Sequence, residues 1–448
     1  MCSASREVVE ECPVTQGRRI QRLLPAYFML VSLLLLAKRD FGDAVESPLE
    51  LSNIHKVLAI GTAILLVSAH FVMRGVPRSW SSVQVAYLGY IGCAVMSSLL
   101  FSPWLLYSMW KVTEIFCVLV VSVYLLGIAR RDSRSAIDYY ELCLDFFRFL
   151  LITVAIGVVL FPGDAIGPPV GEETVRALGE PFLPYRVTGV IVEVNPNSIG
   201  AMAAVLVFVS LVRIVFVRSR PMHWVWLVIS GAFLVFAQSR TAWVGLIGAL
   251  VVTVLFSRSL SWSKRVFGLV LLGAAAVVLS EIFYLYFTRG LPEDRLVGLT
   301  GRALWWEVAI REFLRAEPLR QILGLGYQTA SRLSLEAELG WVVTTLHSDY
   351  VDALLSTGVA GLLLLVMAVA LLGRDLNRIR HRCTSQTFVT ELIGVVIILV
   401  VRTVANTTIA SHNLFLPLFF AVAICAALMS RAEAITSARH PKNQGSQP

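Results

Sequence analysis

Leu346-His347-Ser348-Asp349-Tyr350-Val351-Asp352 closes a water-loving insert that begins near Arg289, and the chain then enters the apolar run Val351 to Leu372. An insert of roughly sixty residues between two long apolar segments is far longer than ordinary connections and is the candidate seat of chemistry. It places an imidazole at a membrane boundary. With 57% of residues hydrophobic and 15% charged, the chain is more apolar than a soluble domain, where charged residues approach about a quarter, so it reads as a membrane protein.

Apolar runs near the ~20 residues that cross a bilayer occur at 23–37, 56–73, 83–101, 104–128, 142–162, 198–217, 222–237, 241–257, 266–287, 348–373, 387–405 and 412–430. The sequence therefore predicts an all-α, polytopic helical bundle of about twelve transmembrane helices, forming one membrane domain over residues 1–448. The long helical loop, residues 288–346, precedes the tenth span. The net charge of +8 does not indicate nucleic acid, because the basic residues fall in short clusters between apolar runs. Arg18, Arg19, Arg22, Arg74, Arg78, Arg130, Arg131, Arg134, Arg218, Arg220, Arg258, Lys264, Arg265, Arg374, Arg378, Arg380, Arg382 and Arg431 all fall on one set of alternating connections. That set is expected to be cytoplasmic, with both tails, 1–22 and 431–448. Met1 to Gln16 and Pro441 to Pro448 read as disordered. No removable signal peptide is expected.

The seven cysteines, Cys2, Cys12, Cys93, Cys117, Cys143, Cys383 and Cys425, lie in apolar runs or connections assigned inside, so no disulfide framework is expected. Without CxxC or Cys/His spacing no zinc site is expected, and no GxxxxGK[ST] or HExxH occurs.

Within the insert, Thr300 is placed to cap a helix from about Gly301 to Ala316, ended at Glu317-Pro318. Leu304, Trp305, Val308, Ala309 and Phe313 recur on one face. Arg302 falls in the first turn, where free N–H groups and a guanidinium suit phosphate oxygens; a surface pair with Glu is the alternative. Arg240, in the exported Gln238-Ser239-Arg240 turn, is either a snorkelling side chain beside Trp243 or a phosphate ligand. His347 has Asp349 and Asp352 within about one helical turn, and a carboxylate there can orient the ring; His412 is the rival base. Among charges inside the runs, Lys111 with Glu114 and Asp145 with Arg148 have the spacing of ion pairs on one helix face. Arg402, near the outer end of its run, has either an ordinary buried partner or Asp349, Asp352 or a phosphate as its expected one.

These motifs, in order, resemble the O-antigen ligase and polymerase superfamily of bacterial envelope glycosyltransferases. The resemblance rests on Arg186-Val187-Thr188-Gly189 followed by Asn195-Pro196-Asn197, and on Ser239-Arg240-Thr241-Ala242-Trp243. It rests further on Gly301-Arg302 with Trp305, on Pro318 followed by Gly324-Leu325-Gly326, and on His347-Ser348-Asp349-Tyr350 followed by Gly358 and Gly361. Ser348, where many members carry Asn, and the longer Pro318–Gly324 spacing depart from the pattern. The resemblance implies a metal-independent, cofactor-free enzyme of the bacterial inner membrane, with its active site facing the periplasm. It would move a glycan from undecaprenyl diphosphate to a hydroxyl of lipid A core or a growing polysaccharide, with membrane lipids as its surroundings. It implies His347 as base and Arg240 and Arg302 as diphosphate ligands. Arg186, Asn195, Trp305, Asp349, Tyr350 and Arg402 are expected to bind substrate. A transporter or lipid-linked glycan flippase is the alternative that twelve spans with buried charges also fit.

Overall fold

A computed structural model of the chain describes residues 13–34, 51–77, 80–167, 183, 185–217, 220–257, 260–278, 280–288, 302–329, 346–382 and 386–439. Helices dominate because a segment in lipid has no water to bond its N–H and C=O groups and must satisfy them within itself. In chain order these are α1 (Pro13–Val31), α2 (Leu51–Arg74), α3 (Ser82–Phe101), α4 (Leu105–Ala129), α5 (Arg134–Leu160), the short α6 (Pro162–Ala165), α7 (Pro196–Phe216), α8 (Pro221–Ala237) and α9 (Arg240–Phe256). There follow α10 (Trp262–Val278), α11 (Ser280–Thr288), α12 (Arg302–Arg315), α13 (Pro318–Leu323), α14 (Asp349–Arg382), α15 (Gln386–Ala405) and α16 (Leu416–Arg439).

Several ends are written in the sequence. Ser81 accepts from the Gln84 N–H while Gln84 accepts from the Ser81 N–H, a capping box that starts α3. Asn195 caps α7 by accepting from the Ser198 N–H at 2.8 Å, and Pro196 occupies the first helical position, where a missing N–H costs nothing.

Among the described residues seven helices are long and apolar enough to cross a membrane, eight if the pair α10 and α11, bent by 62°, counts as one span. Every one of the twelve apolar runs overlaps a helix, but α8, α9 and the apolar part of α16 are shorter, so the expected count of about twelve spans is not confirmed. A helix of 17 residues rises about 26 Å, less than the ~30 Å of a hydrocarbon core. Pro13 to Gln16, expected as disordered, begin α1; residues 1–12 and 440–448, with Cys2 and Cys12, lie outside the described residues, as does Cys383. Cys93, Cys117, Cys143 and Cys425 are free thiols.

The centre of the bundle is α7, buried from Ser198 to Ser210 and wrapped by α5, α8, α9 and α15. At one end of it, Arg213 forks onto both Glu141 of α5 and Glu391 of α15, with both Nη2 contacts at 2.6 Å. Lys111 pairs with Glu114 at 3.2 Å and Arg148 with Asp145, as their spacings predict. The connection expected as irregular between Pro162 and Pro196 carries α6 and a two-residue antiparallel pairing of β1 (Ile166–Gly167) with β2 (Arg186–Val187), Gly167 opposite Arg186. Gly189 bonds back to Val194, and a Cβ on it would run into the Val192 carbonyl.

Candidate active site

The end of the bundle away from Arg213 is where the helices α7 and α9 begin, α8 and α15 end, and the insert docks. Pro318 starts the short α13, and Gly324, at φ +92°, turns the chain so that the Leu325 N–H reaches the Leu355 carbonyl at 2.9 Å. Opposite it, α14 is kinked at Gly358, φ +69°, where a Cβ would strike the Ile322 carbonyl. The Gly326 N–H then donates to Ser97 Oγ, which donates to the Ser356 carbonyl at 2.6 Å, and Ser108 of α4 donates to the Tyr327 carbonyl. These bonds fix the insert against α3, α4 and α14.

Helix α12 covers the start of α14, as its apolar face predicts, through Val308, Ala309 and Phe313 packed against Leu346 and Leu355. Leu304, expected on that face, is exposed instead, and the charged side forms the Glu307–Arg311 pair at 2.8 Å. Thr300 and Gly301, expected to open this helix, lie outside the described residues. Trp306 donates its indole N–H to the Leu346 carbonyl at 2.8 Å, and Trp305 stacks on the His347 ring with centroids 6.0 Å apart and planes at 27°. His347 has left-handed backbone, φ +51°, which turns it out of the helix that begins at Asp349. Its imidazole is lowered to about 4 by burial, then by Arg302 and Arg402.

Arg302, at the start of α12, donates to the Ala405 carbonyl at the end of α15 at 2.6 Å, rather than to a glutamate. Burial and the charge of Arg240 depress it. Asn406 ties α15 to the start of α9 through Thr241 Oγ1 at 3.1 Å. Arg186 donates to the Ala237 carbonyl and to Asn197 Oδ1, and is pushed down to about 10 chiefly by burial, with Arg302 and Arg240 also acting on it. Arg402 donates from Nη2 to Ser198 Oγ at 3.1 Å and lies 4.2 Å above the Phe415 ring. Arg302 links the named cations: it acts electrostatically on Arg186, Arg402 and His347, and Arg240 acts on it and on Arg186.

Two of these cations stand out. Nε and Nη2 of Arg240, and Nε and Nη1 of Arg402, are buried with no protein hydrogen-bond partner; among the described residues only these two side chains leave two such nitrogens each. Buried donors are almost always satisfied, a guanidinium with two open nitrogens suits an oxyanion, and each of these two side chains lies within electrostatic reach of Arg302.

Asp349 has a task the sequence does not suggest. Asp349, fully buried, accepts from the Thr408 N–H at 2.9 Å and the Ile409 N–H at 2.7 Å, and Asp352 accepts from Gln328 Nε2 at 3.1 Å. Asp349 therefore holds the connection between α15 and α16 instead of orienting the imidazole, because two backbone N–H groups with no helical partner sit in its reach. Tyr87 donates to the Ile409 carbonyl, and Tyr90 and Tyr327 both donate to that of Ala410, so the same connection is pinned from three more sides. Tyr350 accepts from Thr403 Oγ1, and Asn195 is occupied as the cap of α7.

Gln238 was not singled out from the sequence. Its left-handed backbone, φ +49°, ends α8, and its side-chain amide donates to the carbonyls of Leu183 and Tyr185, which sets the approach of Arg186. A polar residue between an apolar run and Ser239-Arg240 was the available signal. His412, the rival base, is elsewhere: its Nδ1 lies 3.7 Å from Glu114, which also binds Lys56 at 2.5 Å and Lys111, and burial pushes its imidazole down to about 3 against the pull of Glu114.

A search of curated proteins finds no match to the chain. Residues 225–366 match a family model described as O-Antigen ligase, a stretch running from within α8 past the kink of α14. It contains Arg240, Arg302, Trp305, His347, Asp349 and Tyr350, while Arg186, Asn195 and Arg402 reach the same neighbourhood from outside it. This domain, set in a bundle of apolar helices, makes the chain similar to the O-antigen ligase/polymerase superfamily over about a third of its length.

Proposed function

We propose that the protein transfers a glycan from undecaprenyl diphosphate to an acceptor hydroxyl, on lipid A core or on a growing polysaccharide, at the outer face of the bacterial inner membrane. The observation that carries this reading is the set of four unpartnered, buried guanidinium nitrogens on Arg240 and Arg402, beside Arg302 and one imidazole. A diphosphate supplies both the charge and the oxygens that such a set demands, and no nucleotide is needed because the leaving group is already part of the donor.

In the proposed reaction Nε2 or Nδ1 of His347 accepts the acceptor's hydroxyl proton. The oxygen attacks the anomeric carbon from the face opposite the diphosphate, the bond from that carbon to the phosphate oxygen breaks, and the configuration inverts. Arg240, Arg302 and Arg402 meet the negative charge that grows on the departing diphosphate. Preorganised donors of this kind are worth several kcal/mol in a site with little water, and general-base help contributes roughly 10² to 10⁴ in rate. The arginines also regulate the base. Without substrate, burial and then Arg302 and Arg402 hold the imidazole at about 4; a bound diphosphate offsets the arginines' share and raises its basicity where it is needed. Trp305 keeps the ring in plane, and Asp349, through Thr408 and Ile409, holds the chain segment beyond Arg402.

The test is to incubate purified protein in vesicles with carrier-linked glycan and candidate acceptors, then weigh the products. Glycan-bearing acceptor together with free undecaprenyl diphosphate, lost in His347→Ala and retained in His412→Ala, supports the reading. Carrier-linked glycan that crosses the bilayer with its linkage intact makes the protein a flippase instead.

A further inference from the structure

The opposite end of the bundle carries a basic concavity. Helix α4 begins beside the insert, where Ser108 holds the Tyr327 carbonyl, and its 25 residues carry the chain about 37 Å to Ala129. There, the ends of α2, α4 and α16 enclose a cavity of about 750 Å³ lined by Arg74, Arg130, Arg131, Arg431, His70 and Ser133, among others. That is the size of a site for a multi-atom ligand. No carboxylate lines it among the described residues, and the nearby Asp132 is paired with Arg22 at 2.7 Å. Arg130 is depressed by burial and by Arg431, so these two cations converge across the cavity from different helices.

Positive-inside bias accounts for basic residues near this end, but not for their convergence on one cavity whose described lining residues include no carboxylate. The flank of the cavity identifies the ligand. Val72 and Met73, immediately before Arg74, are 87% and 74% exposed, and Val76, on the cavity wall, is 57% exposed. Helix α2 is the least buried of the long apolar helices, at 22% of its window. Cations in a pocket beside a bare apolar stripe match a molecule with an anionic head and hydrocarbon tails, and basic pockets between membrane helices take such head groups. A free phosphate has no use for the stripe.

We propose that this cavity binds the phosphate head group of an anionic membrane lipid, with its acyl chains along Val72 and Met73. The site is separate from the proposed glycan-transfer site and does not depend on that reading.

The test uses full-length protein in vesicles of phosphatidylcholine alone or mixed with phosphatidylglycerol, followed by gentle detergent release and native mass spectrometry of retained lipid. Phosphatidylglycerol is expected on the wild type. In a triple variant, Arg74→Gln, Arg131→Gln and Arg431→Gln, affinity falls on the order of a hundredfold, from roughly fivefold per removed cation near the surface. The matching triple Lys variant keeps the inside charge that governs insertion and should retain binding within about tenfold. Equal retention of phosphatidylglycerol by wild type and the Gln variant overturns the proposal, as does loss of binding in the Lys variant as complete as in the Gln variant. A further arm adds inorganic phosphate to protein in phosphatidylcholine alone. Binding of that ion as tight as that of the lipid overturns the lipid assignment and leaves a soluble-phosphate site.

Discussion

Replacing Arg302 by Gln should move the pH dependence of catalysis in a predictable direction. The imidazole of His347 is displaced from 6.5 to about 4, and burial is the largest cause, followed by Arg302 and Arg402. At about 1.4 kcal/mol for each pH unit, the environment disfavours the imidazolium by an amount on the order of 3 kcal/mol. A base must be neutral to accept a proton, so the lowered value keeps the base form present as pH falls through 6.5, and it is lost only near pH 4. At pH 5 roughly ten rings are neutral for each one charged. The Gln variant keeps an N–H for the Ala405 carbonyl but removes one repelling charge, which makes the imidazolium cheaper. The acidic limb of kcat/KM, which reports the free enzyme, should then rise from about 4 toward 6.5 without passing it, because burial remains. Arg302→Lys keeps the charge and should leave the limb in place. In the wild type the limb of kcat should lie above that of kcat/KM, since bound diphosphate offsets the arginines. The assay is transfer from carrier-linked glycan by purified protein in vesicles, followed from pH 3.5 to 8. A limb that stays put in Arg302→Gln, or a wild-type limb near 6.5, refutes the coupling between the guanidinium and the base.

Asp349→Asn presents a side-chain N–H to one of the backbone N–H groups of Thr408 and Ile409. Each buried donor left unmatched costs about 1–3 kcal/mol, so thermal unfolding in detergent should occur at lower temperature and kcat should fall more than KM rises. An unchanged melting curve would show that the α15–α16 connection does not depend on this carboxylate. Arg213→Met leaves Glu391, 4% exposed, without its cation and should cost about 3–5 kcal/mol, whereas the double change Arg213→Met with Glu391→Leu should recover much of that loss. Equal stability of the single variant and the wild type in denaturant titration would contradict the structural weight given to this triad.

The helices were legible because apolar runs of bilayer length have few other fates, and Arg240 drew attention because an arginine on a connection expected outside gains nothing from the positive-inside bias. The partners of the candidate site residues were not legible. Asp349 and Asp352 follow His347 closely enough to suggest a hydrogen bond to the ring, but Asp349 meets N–H groups 59 and 60 positions away, which only the packing of α14 against α15 brings within reach. His412 and His347 looked equivalent as outer-surface histidines, yet one is buried with Glu114, Lys56 and Lys111 and the other is stacked on Trp305. The expected count of about twelve spans is not confirmed, because in α8 and α9 apolarity persists over only 17 residues each. Gly324 and Gly358 had no obvious shared purpose in the sequence; both permit the close crossing that seats the insert on α14.

The central claim is that the carrier's diphosphate is held by Arg240, Arg302 and Arg402 next to His347. Its most direct test is equilibrium binding of undecaprenyl diphosphate, without acceptor, to wild type, Arg240→Gln, Arg402→Gln and His347→Ala in vesicles. The account predicts at least tenfold weaker binding in each arginine variant and near-normal binding in His347→Ala, with transfer abolished in the last. Undiminished binding in both arginine variants, or normal transfer without the imidazole, would contradict it.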